Sequence, residues 1–247
     1  MIATKSVLAI ISARGGSKGI LRKNIRMLAG RPLIAWTISE AKKSKYVDRL
    51  VISSEDLEII ATAREWGCEA PFIRPVEFAR DDSSGIDPVL HGITTLPEKY
   101  DYVVLLQPTS PLRTVEDIDG CIESCEIQNS PCCVSVTEPE KNPYWMFKVE
   151  STGQMIPFLE INELPDCRQN LPKAYTLNGA VYVARTHWLL REKKFLTKET
   201  TAYIMPRHRS LDIDTELDLM VCEMLLSQLK NSRSNHHPEE RPRGQFY

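Results

Sequence analysis

The sequence predicts an α/β fold with a mostly parallel sheet and helices on both faces. Three observations carry this. Short apolar runs alternate with stretches of helical periodicity through most of the chain. Polar or glycine-bearing loops follow the apolar runs. The chain has 247 residues, 42% hydrophobic and 26% charged, enough for a sizeable core and unlike a disordered or coiled-coil chain. Repeated strand–helix units of this size form parallel sheets covered by helices.

The elements follow in order. VLAIIS, residues 7–12, reads as a short buried first strand. A polar loop, residues 14–24, follows it. Pro32 then opens the helical stretch LIAWTISEAKKS. RLVIS, residues 49–53, is a second strand. Ser54 is placed to cap the helix EDLEIIATAREWG, with acidic residues in its first turn and Gly67 at its end. Residues 69–73 read as a third strand. Residues 85–96 read as a helix weakened by Pro88. YVVLL, residues 102–106, is a fourth strand, and Thr114 caps the helix VEDIDGCIESCE. Residues 132–136 make a fifth strand.

From about 138 to 175 the rhythm breaks into a stretch rich in proline and aromatics, read as an inserted β arm. Tyr144, Trp145, Met146, Phe147 and Phe158 crowd it without helical periodicity. Such an arm would be a sticky patch on a monomer, so a homodimer surface is expected. The strands GAVYVAR and TAYIMP follow, and residues 215–229 close the fold as a helix. The expected division is an α/β domain (1–137 and 176–230), an inserted arm (138–175) and a disordered tail (231–247). His236 and His237 in that tail read as solvated rather than as ligands.

Charge and cysteine usage exclude several classes. With 31 basic and 33 acidic residues, the net charge is −2, no footprint for nucleic acid. No apolar run reaches the roughly 18 residues of a membrane span. The start, MIATKSVLAIISARGG, has no small-residue cleavage pattern, and a cytoplasmic protein is expected. The seven cysteines (68, 121, 125, 132, 133, 167 and 222) form no CxxC pair and read as reduced, buried packing residues. His91, His187 and His208 have no companions at ligand spacing.

Ligands on such sheets bind at the carboxyl ends of the strands. Three motifs fall there. The first is Ala13-Arg14-Gly15-Gly16-Ser17-Lys18-Gly19-Ile20-Leu21-Arg22-Lys23-Asn24, directly after the first strand. Three glycines allow close backbone approach, and four cations stand among them. A glycine-rich turn offers an anion nest to which Arg and Lys add charge, so polyphosphate is the natural guest; the alternative is a flexible basic turn. The pattern is neither a P-loop nor a dinucleotide fingerprint. The second is Leu211-Asp212-Ile213-Asp214-Thr215-Glu216. In an extended segment its two aspartates face one side and suit Mg²⁺, which usually keeps waters and substrate phosphate. Equally, Asp214 or Thr215 could simply cap the last helix. The third is Gln107-Pro108-Thr109-Ser110-Pro111-Leu112-Arg113, a rigid turn offering an amide, two hydroxyls and a guanidinium to a polyhydroxylated ligand, or else a plain strand–helix turn. Arg74, residues 81–84 and Arg168-Gln169 are further candidates. A phosphate nest and paired carboxylates on one sheet edge point to metal-assisted phosphoryl or nucleotidyl transfer.

ARGGSKGI–RKNI, VIS–ED, FIRP, LLQPTSPLR, RQNLP–Y–NGAVYV and YIMP–RS–DIDTELD, in that order, resemble the acylneuraminate cytidylyltransferase family over roughly residues 6–229. The resemblance implies a Rossmann-like nucleotidyltransferase with a β dimerisation arm. It implies that CTP and a nonulosonic acid give a CMP-sugar and pyrophosphate. Arg14, Lys23, Arg168 and Asp214 are the implied catalytic residues. The implied nucleotide site comprises Ser12, Arg14, Gly15, Gly16, Ser17, Lys18, Lys23, Asn24, Arg74, Asp82 and Ser84. Gln107, Thr109, Ser110 and Arg168 face the sugar, and Asp212 and Asp214 hold Mg²⁺. Leu21 stands where the family often has proline, and Gly85 where relatives often have serine or threonine. The alternative acceptors are legionaminic, pseudaminic or Kdo-type acids; a non-catalytic nucleotide-binding regulator is the reading outside enzymes.

Overall fold

The structure, a computed structural model, describes residues 2, 4–159 and 168–234. Strand β1 (Val7–Ser12) is buried to Ile11. Its side chains alternate: Val7, Ala9 and Ile11 join one core, Leu8 and Ile10 the other. Next come a small antiparallel hairpin of β2 (Met27–Leu28) and β3 (Arg31–Pro32), and α1 (Leu33–Ala41). The chain continues through β4 (Arg49–Ser53), α2 (Leu57–Glu65), α3 (Asp87–Thr95) and β5 (Tyr102–Leu106). Then follow α4 (Val115–Ile127), β6 (Cys132–Thr137), and the hairpin of β7 (Phe147–Val149) with β8 (Met155–Pro157). Strand β9 (Thr176–Arg185), α5 (Thr186–Glu192), β10 (Thr200–Ile204) and α6 (Glu216–Ser234) complete the order.

Six strands form the main sheet in the order β10-β6-β9-β5-β1-β4. Strands β4, β1 and β5 are parallel, as are β6 and β10. Strand β9 lies between β5 and β6 and runs against both. On one face Ile38 of α1, Ile59 of α2 and Ile118 of α4 join the core of Ile11 and Val104. On the other, Val89 of α3 and Leu189 of α5 pack with Ile10 and Val103. A third cluster joins Leu28, Leu33, Ile213, Leu219 and Cys222, seating α6 on the small hairpin.

Several local expectations change. Residues 69–73 form no strand: Val51 and Glu69 make one isolated parallel bridge. Pro71 and Pro75 lack the donors a ladder needs, and the chain turns away. Asp56, not Ser54, caps α2, accepting from the Glu58 and Ile59 amides at 3.0 Å. Gly67 ends that helix at φ 79°, a left-handed turn that favours glycine. Pro88 lies in the first turn of α3, where its missing N–H costs nothing. Thr114 caps α4 in a reciprocal box with Asp117, as expected. Helix α6 runs to Ser234, into the stretch expected to be tail. The β2–β3 hairpin and α5 were not expected, because both are too short to show a period. Cys68, Cys121, Cys125, Cys132, Cys133 and Cys222 are buried and free, as expected of packing residues. Cys167, His236 and His237 lie outside the described residues. Among the described residues no helix is long and apolar enough to cross a membrane.

Candidate active site

A cleft of about 470 Å³ opens at the carboxyl ends of β1 and β5. The end of β1 supplies Ser12 to its wall, and the loop after it Arg14, Ser17, Lys18, Gly19, Lys23 and Asn24. Arg74, Phe78, Asp81, Ser84 and Gly85 come from the segment between α2 and α3. Gln107, Thr109 and Asp214 complete it. The parallel register explains the convergence: Ser12 pairs with Ser53, and Ile11 with Leu106, so these strands end together.

The loop is held open by contacts from beneath. Asn24 is buried, and its Nδ2 donates to the Arg14 carbonyl at 2.9 Å. Arg74 is 2% exposed; it donates to Ser12 Oγ at 3.0 Å, the Ala13 carbonyl at 3.3 Å and Glu55 Oε2 at 2.5 Å. Glu55 Oε1 accepts the Gly15 amide at 2.7 Å. Glu55 therefore joins the loop backbone to the buried guanidinium. Gly15 leaves room for Asp56, whose Oδ2 would lie 2.5 Å from an added Cβ. Gly19 brings the first two motifs together: a Cβ there would meet the Asp214 carbonyl oxygen at 2.1 Å.

Three of the four loop cations line the cleft. Arg22 turns away instead. It sits in the left-handed region at φ 57° and forks onto Asp56 and Glu58. Lys23 Nζ donates to the Ile213 carbonyl at 2.9 Å and to Asp214 Oδ1 at 3.0 Å. Arg14 and Lys18 each reach an oxygen of Asp81 at 2.9 Å.

Ile213 is fully buried, while its neighbours Asp212 and Asp214 stay outside the core. The segment is anchored by the Ile213 amide, which donates to the Thr109 carbonyl at 2.9 Å. Thr215 and Asp218 cap α6 reciprocally: the Thr215 amide donates to Asp218 Oδ2 at 2.7 Å, and the Asp218 amide to Thr215 Oγ1 at 3.3 Å. Capping thus falls to Thr215 and leaves the Asp214 carboxylate to face Lys23. Burial pushes the Asp212 carboxyl above its usual range; the Thr109 hydroxyl works against that shift and the Asp214 charge adds to it. Asp212 Oδ1 is buried without a hydrogen-bond partner. A buried oxygen left over beside a second carboxylate is what a divalent cation would complete. No three His, Cys, Asp or Glu side chains gather among the described residues, so such an ion would need phosphate and water as its remaining ligands.

The remaining expected residues divide. Gln107 lines the cleft, its Oε1 2.9 Å from where a Gly179 Cβ would sit. Thr109 contacts Asp212. Ser110 is fully buried and off the cleft wall, and Asp82 is not on it either. Arg113 is fully buried, donating to the Gln107 carbonyl at 3.1 Å and the Ala180 carbonyl at 2.8 Å, so it braces the turn rather than offering itself to a ligand. Gly85 faces open space, with nothing within 4 Å of an added Cβ. Gly16 likewise has nothing within 4 Å. Arg168 opens the 3₁₀ turn Arg168–Asn170. Asp81 lies on the cleft wall, as the candidate polar run 81–84 allows; Glu55 and Phe78 belong to this region without having been candidates, and the acidic start of α2 is the one sequence signal for Glu55.

A family model described as cytidylyltransferase matches residues 8–234. The CMP-N,N'-diacetyllegionaminic acid synthase of Legionella pneumophila is 33% identical over 225 residues, spanning 89% of this chain and 96% of that one. The N-acylneuraminate cytidylyltransferase of Escherichia coli O18:K1:H7 is 31% identical over 226 residues, spanning 91% of this chain and 53% of that one. In fold, the chain is similar to a CMP:2-keto-3-deoxy-manno-octonic acid synthetase solved with CTP, with a TM-score of 0.69 at 14% identity over 91% of this chain and 99% of that one. The match runs from β1 through the loop cations and the paired aspartates into α6, and the chain belongs to the cytidylyltransferase family.

Proposed function

We propose that this chain activates a nonulosonic acid of the sialic type with CTP, giving the CMP-sugar and pyrophosphate. The observation that carries this reading is that Arg14, Lys18, Lys23 and Asp214 line one cleft at the sheet edge, with Lys23 paired to Asp214 and Asp212 close enough to feel both charges. The sugar hydroxyl attacks the α-phosphorus in line; a new P–O bond forms, the bond from the α-phosphorus to the bridging oxygen breaks, pyrophosphate leaves with that oxygen, and the hydroxyl proton passes to water. The cations neutralise charge that grows on the phosphates in the transition state. Asp212 and Asp214 would hold Mg²⁺, which when bound stabilises phosphate charge as a Lewis acid. Asn24, Glu55 and Arg74 keep the loop amides and Arg14 in place before substrate arrives. Gln107, beside Gly179 and the Asp212 segment, faces the sugar. A legionaminic-type acid is the second reading, favoured by the near full-length match to a synthase of that name.

Exposed Trp145, Met146, Ile156 and Phe158 on and beside the β7–β8 hairpin support a homodimer through the arm, with Arg168 serving the partner's site. Pyrophosphate release with CTP and a panel of N-acetylneuraminic, legionaminic, pseudaminic and Kdo acids tests the reading. Release with one of the first two, dependent on Mg²⁺ and on CTP over other nucleotides, is expected. No release with any acid overturns it.

A further inference from the structure

Each of the three loop cations that line the cleft is already met by a carboxylate of the chain. Asp214 takes Lys23, and it belongs to the pair read above as the ion's ligands. Asp81 is different. Its side chain is 53% exposed, and it belongs to no core cluster. It sits on the turn between the 3₁₀ segment Val76–Ala79 and α3. One of its oxygens lies 2.9 Å from Arg14 Nη1 and the other 2.9 Å from Lys18 Nζ. Lys18 foremost, and Arg14 with it, hold the carboxyl below its usual range, so it is anionic at neutral pH. An anion that bridges two cations competes for them with any anionic ligand that needs both.

We infer that Asp81 is a built-in competitor for the phosphate subsite: it closes off Arg14 and Lys18 in the empty cleft, yields both to an incoming polyphosphate, and takes them back as pyrophosphate departs. This rests on the reading of the loop as a polyphosphate site. A tethered competitor raises the dissociation constant of every anion that needs those two cations by one common factor. It leaves ligands that do not reach them untouched. Two exposed ion pairs sharing one carboxylate set that factor at about three- to tenfold. Salt screens exposed pairs, so the factor shrinks as ionic strength rises.

The test is calorimetric titration with tripolyphosphate, pyrophosphate and cytidine, without metal and at low salt, on the full chain, Asp81→Asn and Glu77→Gln. Glu77 lies on the same exposed segment and is not part of the cleft wall, so its variant removes a nearby charge without the contact. In Asp81→Asn, tripolyphosphate and pyrophosphate should both tighten by the same three- to tenfold, cytidine should not change, and pyrophosphate should dissociate more slowly in stopped flow. Glu77→Gln should show at most a minor gain. Unchanged or weaker polyphosphate binding in Asp81→Asn overturns the inference. An equal gain in Glu77→Gln also overturns it, because the effect would then be a general field and not a displaced contact. Tripolyphosphate carries no base, so loss of preference for CTP alongside an intact Asp81→Asn gain would count against the proposed function alone.

Discussion

Glu55 ties two groups to one carboxylate: the Gly15 amide of the loop after β1 and the buried Arg74. Arg74 is a cation on the cleft wall whose charge is used inside the protein, to fix Ser12 and Ala13. Lys23 has the opposite character, since its contacts, Ile213 and Asp214, belong to the second motif. Lys23→Ala should lower kcat by about 10²–10³-fold, the scale of losing one placed charge donor, with little change in thermal midpoint. A drop below about tenfold in a pyrophosphate-release assay would make Lys23 only a surface cation. Arg22 carries a different expectation. It holds the Asp56 carboxyl below its usual value of 3.8, with the amides of Ile59 and Glu58 adding to the effect. A depressed carboxyl stabilises the fold above its unfolded pKa, and that contribution fades as pH falls through the folded value. Arg22→Gln should therefore lose about 1 kcal/mol in urea unfolding at pH 7, and the gap to the parent should close below about pH 4. A gap that stays constant down to pH 3 would show that the pair contributes through packing alone.

Between elements, the decisive contact is that of Gly19 with the Asp214 carbonyl. Backbone cannot swing aside as a long side chain can. Gly19→Ala should push the loop after β1 away from the Asp212–Asp214 segment. Turnover should fall by about 10²-fold, the penalty of roughly an ångström of misplacement, while circular dichroism stays native. Undiminished turnover would mean that the two motifs need not touch. The periodic elements were legible in the sequence: VLAIIS and YVVLL are strands because both sheet faces bury them, and Thr114 and Thr215 cap where their side chains meet Asp117 and Asp218. The loop that lines the cleft was legible because its cations and glycines sit beside one another. Long-range partners were not. Glu55 and Asp81 act through contacts 40 and 67 positions from the groups they hold, and no local pattern marks such distances. The Arg113 turn, open in the sequence between ligand contact and plain strand–helix turn, is decided by the same kind of distant contact, with Ala180. A guanidinium in a turn reads as available, whereas burial pushes its pKa down to about 10 and points it at two carbonyls. Strand direction was equally hidden, since the apolar pattern of β9 is the same whether it runs with or against β5.

At the scale of the molecule, the proposed assembly has a direct check. The chain should sediment as a dimer at micromolar concentration. Arg168→Ala should raise KM for the sugar far more than for CTP. Mixing it with Lys23→Ala should restore part of the activity, because one hybrid site would regain both residues. A monomer, or no rescue in dimers shown to exchange subunits, would count against the arrangement. The topology gives this a further consequence. Thr137 at the end of β6 pairs directly with Thr176 at the start of β9, so the whole segment between them leaves and re-enters the sheet through neighbouring, hydrogen-bonded positions. Such an excursion is already closed at its base by the ladder. Lengthening a loop of this kind is cheap, about 0.6 kcal/mol for each doubling. The segment can accordingly be rewritten, extended or trimmed over evolutionary time with little strain on the strands that carry the cleft, so the surface it presents can drift while the cleft stays fixed.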